Sequence, residues 1–269
     1  MKSNILLTND DGISSPALTV AENTLREISN CLTVIAPDRE RSASGHAITM
    51  HHPLRIVPKG QDRFALDGTP ADCVYLGVAS ICEERPSFVV SGPNKGPNLG
   101  TDVFYSGTVA GAAEGYARGL FGIALSTPRD ADKKTWAAAA EFVGKLISAL
   151  IKAEMSHGLI NVNFPMVENL RGYRWTRLGR RTYKEEAVHR VDPKGRSYYW
   201  IGGPGLSDFE GAVGEDVEAV RQGFVSMTPM KMDMTEESFF PTLKEISLEG
   251  FNPIVGSQEN HKREYWLNK

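Results

Sequence analysis

Short apolar segments alternate with helix-like segments along the first two-thirds of the 269-residue chain. The apolar segments have the length of strands, and between them apolar residues recur with the period of a helix. This alternation predicts an α/β fold with a mostly parallel sheet and helices on both of its faces. The predicted strands are 4–8, 32–36, 87–91, 123–126 and 159–164, and the predicted helices are 16–28, 69–82, 107–118 and 133–153.

Two of these helices have recognisable start signals. Ser15 is a candidate N-cap and precedes Pro16, which suits the first position of a helix. Thr69 is a second candidate, and Asp72 three residues later completes a pattern that resembles a capping box. We therefore expect one helix to begin directly after Ser15 and another directly after Thr69.

Charge and composition limit the class of protein. The net charge of −3 argues against a protein that coats a nucleic-acid duplex. The apolar runs are too short to cross a bilayer, and the first residues lack the apolar region of a secretory signal. The three cysteines, Cys31, Cys73 and Cys82, form no CxxC pair and suit reduced thiols. We expect a cytoplasmic protein without a membrane partner.

Two adjacent carboxylates, Asp10 and Asp11, follow the first predicted strand. Neighbouring carboxylates repel each other and are costly to bury. Successive side chains of a strand point to opposite faces, so both can reach one site only if the chain turns, which Gly12 permits. One interpretation is an ordinary turn. The other is a hard divalent cation between the carboxylates, at the sheet edge where ligands bind in such folds.

The segment 36–53 follows the second predicted strand and emerges at the same edge of the sheet. It is polar, with Ser42, Ser44 and His46 near its middle. It is either a solvated loop or a functional one, and its length of about 15 residues without periodicity favours function. His46 could protonate a leaving group, or it could simply be solvated.

A glycine-rich segment, 89–115, follows the third predicted strand and leads into a helix. Such a loop gathers backbone N–H groups at the positive end of the helix and is suited to bind phosphate. Alternatively, its small residues only allow tight packing of the helix on the sheet. The segment matches neither a dinucleotide-binding fingerprint nor a Walker loop. The polar side chains in it are those of Asn94, Lys95, Asn98, Ser106 and Thr108.

The chain changes character near residue 170. The segment 171–203 is rich in Arg, Tyr and Trp and has a turn signal at 192–195, which predicts a long hairpin. The hairpin either covers one edge of the sheet or is an arm that grips another subunit, a role that favours these residue types. Beyond it we expect a short helix and a strand within 216–230 and, after Pro241, a polar tail.

Six segments of the sequence carry a resemblance to a known family. They are LLTNDDGISSPAL, APDRERSASGHAIT, LDGTPADCVYLG, VSGPNKGPNLGTDVFYSGTVAGAAEG, NVNFP and GFVSMTP. In this order, and between about residues 4 and 230, they resemble the survival protein E (SurE) family of metal-dependent nucleotidases and acid-type phosphatases. Two features depart from the usual family pattern. Pro93 stiffens the loop that contains it, and the tail continues to Lys269.

The resemblance implies a three-layer α/β/α sandwich with a Rossmann-like sheet and a protruding hairpin arm. The single domain would have a core of about 1–168 and 206–232, an arm of about 170–204 and a tail of about 233–269. The protein would be a homo-oligomer, either a dimer or a tetramer, in which the arms are exchanged between subunits.

The resemblance also implies hydrolysis of nucleoside monophosphates, assisted by one Mg²⁺ or Mn²⁺ ion per subunit. Nucleoside 3′-phosphates and short polyphosphate are further candidate substrates. The metal ligands would be Asp10, Asp11, Ser42 and Asn94. The phosphate would be bound by Asn98, Ser106, Gly107 and Thr108. The catalytic residues would be Asp10, Asp11, Asn98 and Ser106.

Two alternatives to hydrolysis by a metal-activated water stay open at this point. Asp10 or Asp11 could attack phosphorus directly, although enzymes that form an aspartyl-phosphate generally separate their two aspartates by one residue. A non-catalytic nucleotide-binding regulatory protein would need the phosphate pocket but not the aspartate pair. Adjacent aspartates suit shared ligation of a cation better, so the sequence favours the metal-activated water.

Overall fold

The computed structural model describes residues 3–180, 187–201 and 211–246. Within these residues, nine strands form one sheet and two more form a separate hairpin. The strands of the sheet are β1 (Asn4–Thr8), β2 (Cys31–Pro37), β3 (Ile56–Gly60), β4 (Arg63–Leu66), β5 (Phe88–Lys95), β6 (Phe121–Thr127), β7 (Gly158–Asn163), β8 (Gly172–Trp175) and β11 (Phe224–Pro229). The hairpin consists of β9 (Ala187–Val191) and β10 (Ser197–Ile201).

The order of strands across the sheet is β3-β4-β2-β1-β5-β6-β7-β11-β8. The six strands from β4 to β7 are parallel to one another. Near the edges, β3 is antiparallel to β4, and β11 is antiparallel to β7. The chain runs outward from β1 through β2 in one direction and later from β5 through β7 in the other. The strand order therefore reverses between β1 and β5, and ligands bind outside such a switch point.

Helices cover both faces of the sheet. They are α1 (Pro16–Arg26), α2 (Pro70–Leu76), α3 (Gly107–Ala117), α4 (Lys133–Lys152) and α5 (Asp216–Arg221). Ile5 and Leu7 of β1 join the core that includes residues of α1 and α4, whereas Leu6 packs with Cys73 and Val74 of α2. A strand buried on both faces explains the continuous apolar run of β1. The predicted α/β/α sandwich with a mostly parallel sheet is confirmed.

The start signals of the first two helices have different outcomes. The Thr69 hydroxyl accepts a hydrogen bond from the Asp72 backbone N–H, and the Asp72 side chain accepts one from the Thr69 N–H, so the capping box is confirmed. Ser15 occupies the N-cap position of α1, but its side chain makes no capping hydrogen bond. After Leu76, the second predicted helix continues as a π-helical turn over Gly77–Ile81.

The predicted hairpin segment divides into two parts. Residues of β8 join the main sheet as a neighbour of β11, so Tyr173 and Trp175 lie at the sheet edge. β9 and β10 form the antiparallel pair, and Asp192 in their turn accepts hydrogen bonds from the backbone N–H groups of Lys194 and Arg196. The remaining parts of the predicted arm, 181–186 and 202–210, lie outside the described residues.

The chain forms two compact units, 1–230 and 231–269. The first contains the sheet and helices α1 to α5, and its last elements are the short helix and the strand predicted within 216–230. In the second, the described residues form a 3-10 turn, Glu237–Phe239, and the short helix α6 (Phe240–Leu243). The tail beyond 246 lies outside the described residues. Among the described helices, none combines the length and apolar character that crossing a membrane requires.

Candidate active site

Polar residues from several strands meet at the carboxyl edge of the sheet, beside the switch point. Asp10 lies two residues after β1, and Asn94 is the penultimate residue of β5, the neighbouring strand. A cavity of about 790 Å³ opens there. Six of the eight predicted site residues line this cavity, namely Asp10, Asp11, Ser42, Asn94, Asn98 and Ser106.

A tight turn after β1 places both aspartates at the cavity. Gly12 has a φ of +94°, and a Cβ atom on it would lie 3.0 Å from the Arg39 backbone, so a side chain does not fit. Asn9 closes the turn, because its Oδ1 accepts a hydrogen bond from the Gly12 N–H and its Nδ2 donates to the Gly12 carbonyl. Sequence reasoning did not single out Asn9, although asparagine before such a turn is a usable signal.

Asp10 is only 5% exposed. Its Oδ1 accepts a hydrogen bond of 2.6 Å from the Thr108 hydroxyl. Burial raises the pKa of Asp10 from 3.8 to about 6; the Thr108 hydrogen bond opposes this rise, and the negative charge of Asp11 adds to it. At neutral pH the Asp10 carboxylate is therefore poorly compensated by the groups around it.

Asp11 has a carboxylate oxygen that no described residue satisfies. Its Oδ2 is buried and has no hydrogen-bond partner within the described ranges. Burial raises the pKa of Asp11, and the positive charge of Lys95 opposes the rise. An unsatisfied buried carboxylate oxygen is costly, and it is also the kind of ligand that a hard divalent cation takes. The donor set at this cavity therefore fits Mg²⁺ or Mn²⁺.

Ser42 and Asn94, the two neutral ligands predicted beside the aspartates, each keep an oxygen atom with a lone pair that can bind a cation. The Ser42 hydroxyl donates to Glu40 at 2.6 Å, so its lone pairs remain. The Asn94 Nδ2 donates to the Gly96 carbonyl at 2.7 Å, which leaves Oδ1 as the accepting atom of the amide. The described part of the chain has no group of three or more His, Cys, Asp or Glu suited to a metal. A cation at the aspartate pair would therefore also use these neutral oxygens.

The N-terminus of α3 adjoins Asp10. Ser106 is its N-cap, and the Ser106 Oγ accepts a hydrogen bond from the Val109 N–H, which leaves the hydroxyl proton to donate. A Cβ atom on Gly107 would lie 2.8 Å from the Ser44 Oγ and 3.0 Å from the Asp10 Cβ. Glycine thus allows the helix end to approach the aspartate closely. Exposed N–H groups at a helix N-terminus favour an anion such as phosphate.

Thr108 takes a different position from the one that the resemblance implies. Its side chain is fully buried and is bonded to Asp10, and the residue is not part of the cavity lining. The group of Thr108 that suits phosphate binding is therefore its backbone N–H and not its hydroxyl. The hydroxyl instead orients Asp10.

Asn98 is fixed by side chains from the ends of β6 and β7. Its Nδ2 donates to the Ser126 hydroxyl, and its backbone N–H donates to the Asn163 side chain, both at 2.8 Å. Its carbonyl accepts from the side chains of Asn161 and Asn163. The two asparagines belong to the NVNFP segment, and no role was predicted for them from the sequence. Their signal is a pair of alternate polar residues in an otherwise apolar strand that is buried from Leu159 onward.

The long loop after β2 is anchored and not merely solvated. Arg41 donates its backbone N–H to the Asp10 carbonyl at 2.8 Å, directly before the predicted ligand Ser42. Further along, the Gly45 N–H donates to the Tyr105 carbonyl, and Thr49 donates twice to the buried Asp72. These contacts tie the loop to both β1 and α2, which supports the functional interpretation of its length.

His46 belongs to the same set of anchors. Its Nε2 lies 2.9 Å from Oε2 of Glu114, whose other oxygen accepts from Arg118. Burial alone would raise the pKa of Glu114, but the hydrogen bond of His46 and the charge of Arg118 outweigh it and lower the pKa. His46 is not among the residues that line the cavity, so holding the loop on α3 is its evident role. Glu114, in the middle of α3, escaped the sequence analysis.

A Rossmann-like sheet that brings an aspartate pair and a helix N-terminus to one cavity has the architecture of a phosphate-handling α/β protein. The family Survival protein SurE matches residues 5–185 of this chain. The 5′-nucleotidase SurE of Geobacter sulfurreducens is 42% identical over 258 residues, which cover 94% of this chain and 97% of the relative. The 5′-nucleotidase SurE of Geotalea daltonii is 44% identical over 243 residues, covering 89% and 97%. This chain belongs to the SurE family.

A solved structure has the same fold. The crystal structure of the SurE protein from Aquifex aeolicus matches with a TM-score of 0.77 at 35% sequence identity. The match covers 90% of this chain and 98% of that one.

Proposed function

We propose that this protein hydrolyses nucleoside monophosphates to nucleoside and phosphate, as a 5′-nucleotidase. The observation that carries the proposal is the meeting of the under-compensated pair Asp10 and Asp11 with the N-terminus of α3 in one cavity. The aspartate pair suits a cation, and the N-terminus of α3 suits a phosphate. The names of the two curated relatives, both 5′-nucleotidases, support the nucleotide as the substrate.

The residues that would hold the metal are Asp10, Asp11, Ser42 and Asn94. All four line the cavity, and their oxygen donors suit one Mg²⁺ or Mn²⁺ ion per subunit. When bound, such an ion neutralises phosphate charge and makes a water molecule acidic enough to serve as the nucleophile.

The chain's own groups would orient the phosphate and stabilise its oxygens. Ser106 would donate its hydroxyl proton to a non-bridging oxygen, and the N–H groups of the first turn of α3 would stabilise negative charge there. Asn98 has a second Nδ2 hydrogen besides the one donated to Ser126, and it would donate this hydrogen to the same phosphate. Thr108 would hold the Asp10 carboxylate in one orientation.

Neither alternative mechanism has comparable support. Direct attack on phosphorus by Asp10 or Asp11 suits this site less well, because enzymes that form an aspartyl-phosphate generally separate their two aspartates by one residue, whereas these two are adjacent. A regulatory protein that only binds phosphate would need the α3 N-terminus, and it would gain nothing from two carboxylates that are costly to bury.

We also propose that the protein is a homo-oligomer, a dimer or a tetramer, in which the arm of about 170–204 contacts a second copy. The rest of the chain would be the core, about 1–168 and 206–232, and the tail, about 233–269. At the end of β10, Tyr199 and Trp200 are each 64% exposed and Ile201 is 96% exposed. A two-stranded hairpin with such apolar surface is unstable alone in water, so a packing partner is required.

The function is tested with a panel of phosphomonoesters, assayed with Mn²⁺, with Mg²⁺ and after chelation by EDTA. We expect nucleoside monophosphates to be hydrolysed and chelation to abolish turnover reversibly. Turnover that persists in EDTA would overturn the metal-dependent mechanism. Phosphate binding without turnover of any ester would favour the regulatory alternative.

A further inference from the structure

Tyr105 lines the cavity that holds Asp10 and Asp11, and it is the one aromatic residue among the described residues that do so. It is 66% exposed. Within residues 3–180, 187–201 and 211–246, its ring neither stacks on another ring nor faces a cation, and its hydroxyl makes no hydrogen bond. The mechanism proposed above gives this ring no role. An exposed aromatic ring at a cavity is suited to contact a ligand.

The backbone of Tyr105 is held at both of its polar groups. Its N–H donates to the Asp102 carbonyl, and its carbonyl accepts from the Gly45 N–H, both at 3.0 Å. The second bond joins Tyr105 to the loop after β2, which carries the predicted metal ligand Ser42. The exposed ring therefore stands on a main chain that is fixed relative to the site, so a ligand would not have to order that main chain.

Tyr105 directly precedes Ser106, the N-cap of α3, whose hydroxyl would donate to the phosphate. Both residues line the same cavity of about 790 Å³, a volume within the range of pockets that hold whole small molecules. A substrate whose phosphate lies at Ser106 thus has room to extend along Tyr105.

The charges of the cavity indicate what kind of group lies beyond the phosphate. They are the carboxylates of Asp10, Asp11, Glu40 and Asp102 and the basic groups of Lys95 and Arg129. The carboxylates exceed the basic groups by two, an excess that one divalent cation on the aspartate pair would balance. A further anionic group is therefore not required, and the unpartnered ring instead suits a flat, uncharged group. A nucleobase is such a group, because every base has a π-face that stacks on an aromatic side chain.

We propose that Tyr105 stacks on the nucleobase of the substrate. Through this contact the site distinguishes nucleoside monophosphates from sugar phosphates that carry the same phosphate group. This proposal rests on the proposed hydrolysis of nucleotides and assigns the residue that binds the base.

The test compares wild type, Tyr105→Ala and Tyr105→Phe on adenosine 5′-monophosphate and on ribose 5-phosphate, which has the phosphate and the sugar but no base. The measured quantity is the ratio of the two kcat/KM values. Because both substrates place a phosphate at the neighbouring Ser106, the ratio cancels any disturbance of that residue. We expect Tyr105→Ala to lower the ratio about 10-fold, mainly through KM for the nucleotide, and Tyr105→Phe to keep it near wild type because the ring remains.

Phe104→Ala is the matched control. Phe104 is the adjacent aromatic residue and is 61% exposed, but it does not line the cavity. We expect this variant to leave the ratio unchanged. A fall in Phe104→Ala as large as that in Tyr105→Ala would overturn the proposal.

An unchanged ratio in Tyr105→Ala also overturns the proposal, and so does an equal loss in the alanine and phenylalanine variants, which would assign the effect to the hydroxyl. These outcomes leave the proposed function intact, because the nucleotide is still hydrolysed. If wild type hydrolyses neither compound, the proposed function fails. Titration calorimetry with the two compounds then still tests Tyr105, because the selective loss must also appear in the dissociation constants.

Discussion

The hydroxyl of Thr108 donates a 2.6 Å hydrogen bond to Oδ1 of Asp10 and so joins the first turn of α3 to the turn after β1. Both residues are buried. The helix end that suits phosphate and the turn that suits a cation are therefore held at one fixed separation. The Thr108 side chain does not line the cavity, so a substitution there should change the site only by changing how Asp10 is held.

We expect Thr108→Val to raise the pKa of Asp10 above its value of about 6, because the hydrogen bond that opposes the rise is lost. At pH 7 the free energy of unfolding should fall by about 1.5–3 kcal/mol, the usual contribution of a hydrogen bond to a charged group. Urea unfolding in EDTA measures this change. Thr108→Ser keeps the hydroxyl and should stay near wild type. Equal stability of the valine variant and wild type would contradict the assignment.

Asp10→Asn should lower turnover by about 100-fold or more, because it removes a charged ligand of the proposed metal. Mn²⁺ binding, followed by calorimetry, should weaken with it. The fold should persist, since removal of one of two repelling carboxylates relieves repulsion in the metal-free protein. Glu141→Gln, on the exposed face of α4, removes the same charge far from the cavity and serves as the control.

The metal-free protein should become less stable as the pH rises from about 4 to 7. The pKa of Asp10 is raised from 3.8 to about 6, so between these values the folded protein keeps a proton that the unfolded chain has released. The loss attributable to Asp10 should be about 2–3 kcal/mol. Urea unfolding of wild type and Asp10→Asn in EDTA, at pH 4.5 and pH 7, isolates it. Parallel pH profiles of the two proteins would refute this linkage.

Ser106→Ala should cost about 1–4 kcal/mol of transition-state stabilisation, read from kcat/KM. The hydroxyl caps α3, and its proton remains available to donate to the proposed phosphate. Phosphate and vanadate should inhibit wild type competitively and the variant more weakly. Ser148→Ala, on the exposed side of α4, should change neither property. If neither anion inhibits wild type, the α3 N-terminus is not a phosphate site.

Glu114→Ala should loosen the loop after β2, because it removes the partner of His46. We expect the free energy of unfolding to fall by about 1–3 kcal/mol, since a buried acceptor is lost, and the dissociation constant of Mn²⁺ to rise because Ser42 lies on that loop. His46→Ala should weaken Mn²⁺ binding in the same way. His51→Ala, an exposed histidine of the same loop, should not. Unaltered Mn²⁺ binding in both of the first two variants would show that the anchor does not position Ser42.

The double change Tyr199→Ser and Trp200→Ser should reduce the association of subunits, because it removes exposed apolar surface from the hairpin. Sedimentation velocity at micromolar concentration should show wild type as a dimer or tetramer and the variant shifted toward the monomer. Met155→Ser, at an exposed apolar residue outside the proposed arm, is the comparison and should leave the association state unchanged. A monomeric wild type would refute the proposed assembly.

The sequence was sufficient for the central strands and not for the edges of the sheet. β1, β5 and β6 are buried along most of their length, and each contains a short run of apolar residues that marks it as a strand. β3 and β4 were missed because they are short and largely exposed or only partly buried, and β8 was assigned to the hairpin. Its pairing with β11 joins residues about 50 positions apart, which no local pattern encodes.

The sequence was likewise sufficient for only part of the candidate site. The expectation that Asp10 and Asp11 lie at a ligand-binding edge followed from their place after a buried strand. The bond of Thr108 to Asp10, the anchor of His46 on Glu114 and the position of Tyr105 in the cavity each depend on tertiary contacts. Residue types alone do not indicate such contacts, so these roles became visible only in the fold.

α3 has glycines at the positions where it packs on the sheet, and these glycines determine how closely the helix can approach the strands. A Cβ atom on Gly115 would lie 2.6 Å from the Val89 side chain, and one on Gly111 would lie 2.8 Å from the Ser91 Oγ. A methyl group at either position would lift the helix, and a rigid helix would carry that displacement to Ser106. The close packing of Gly111 and Gly115 on β5 therefore fixes the position of Ser106 and of the proposed phosphate site beside it.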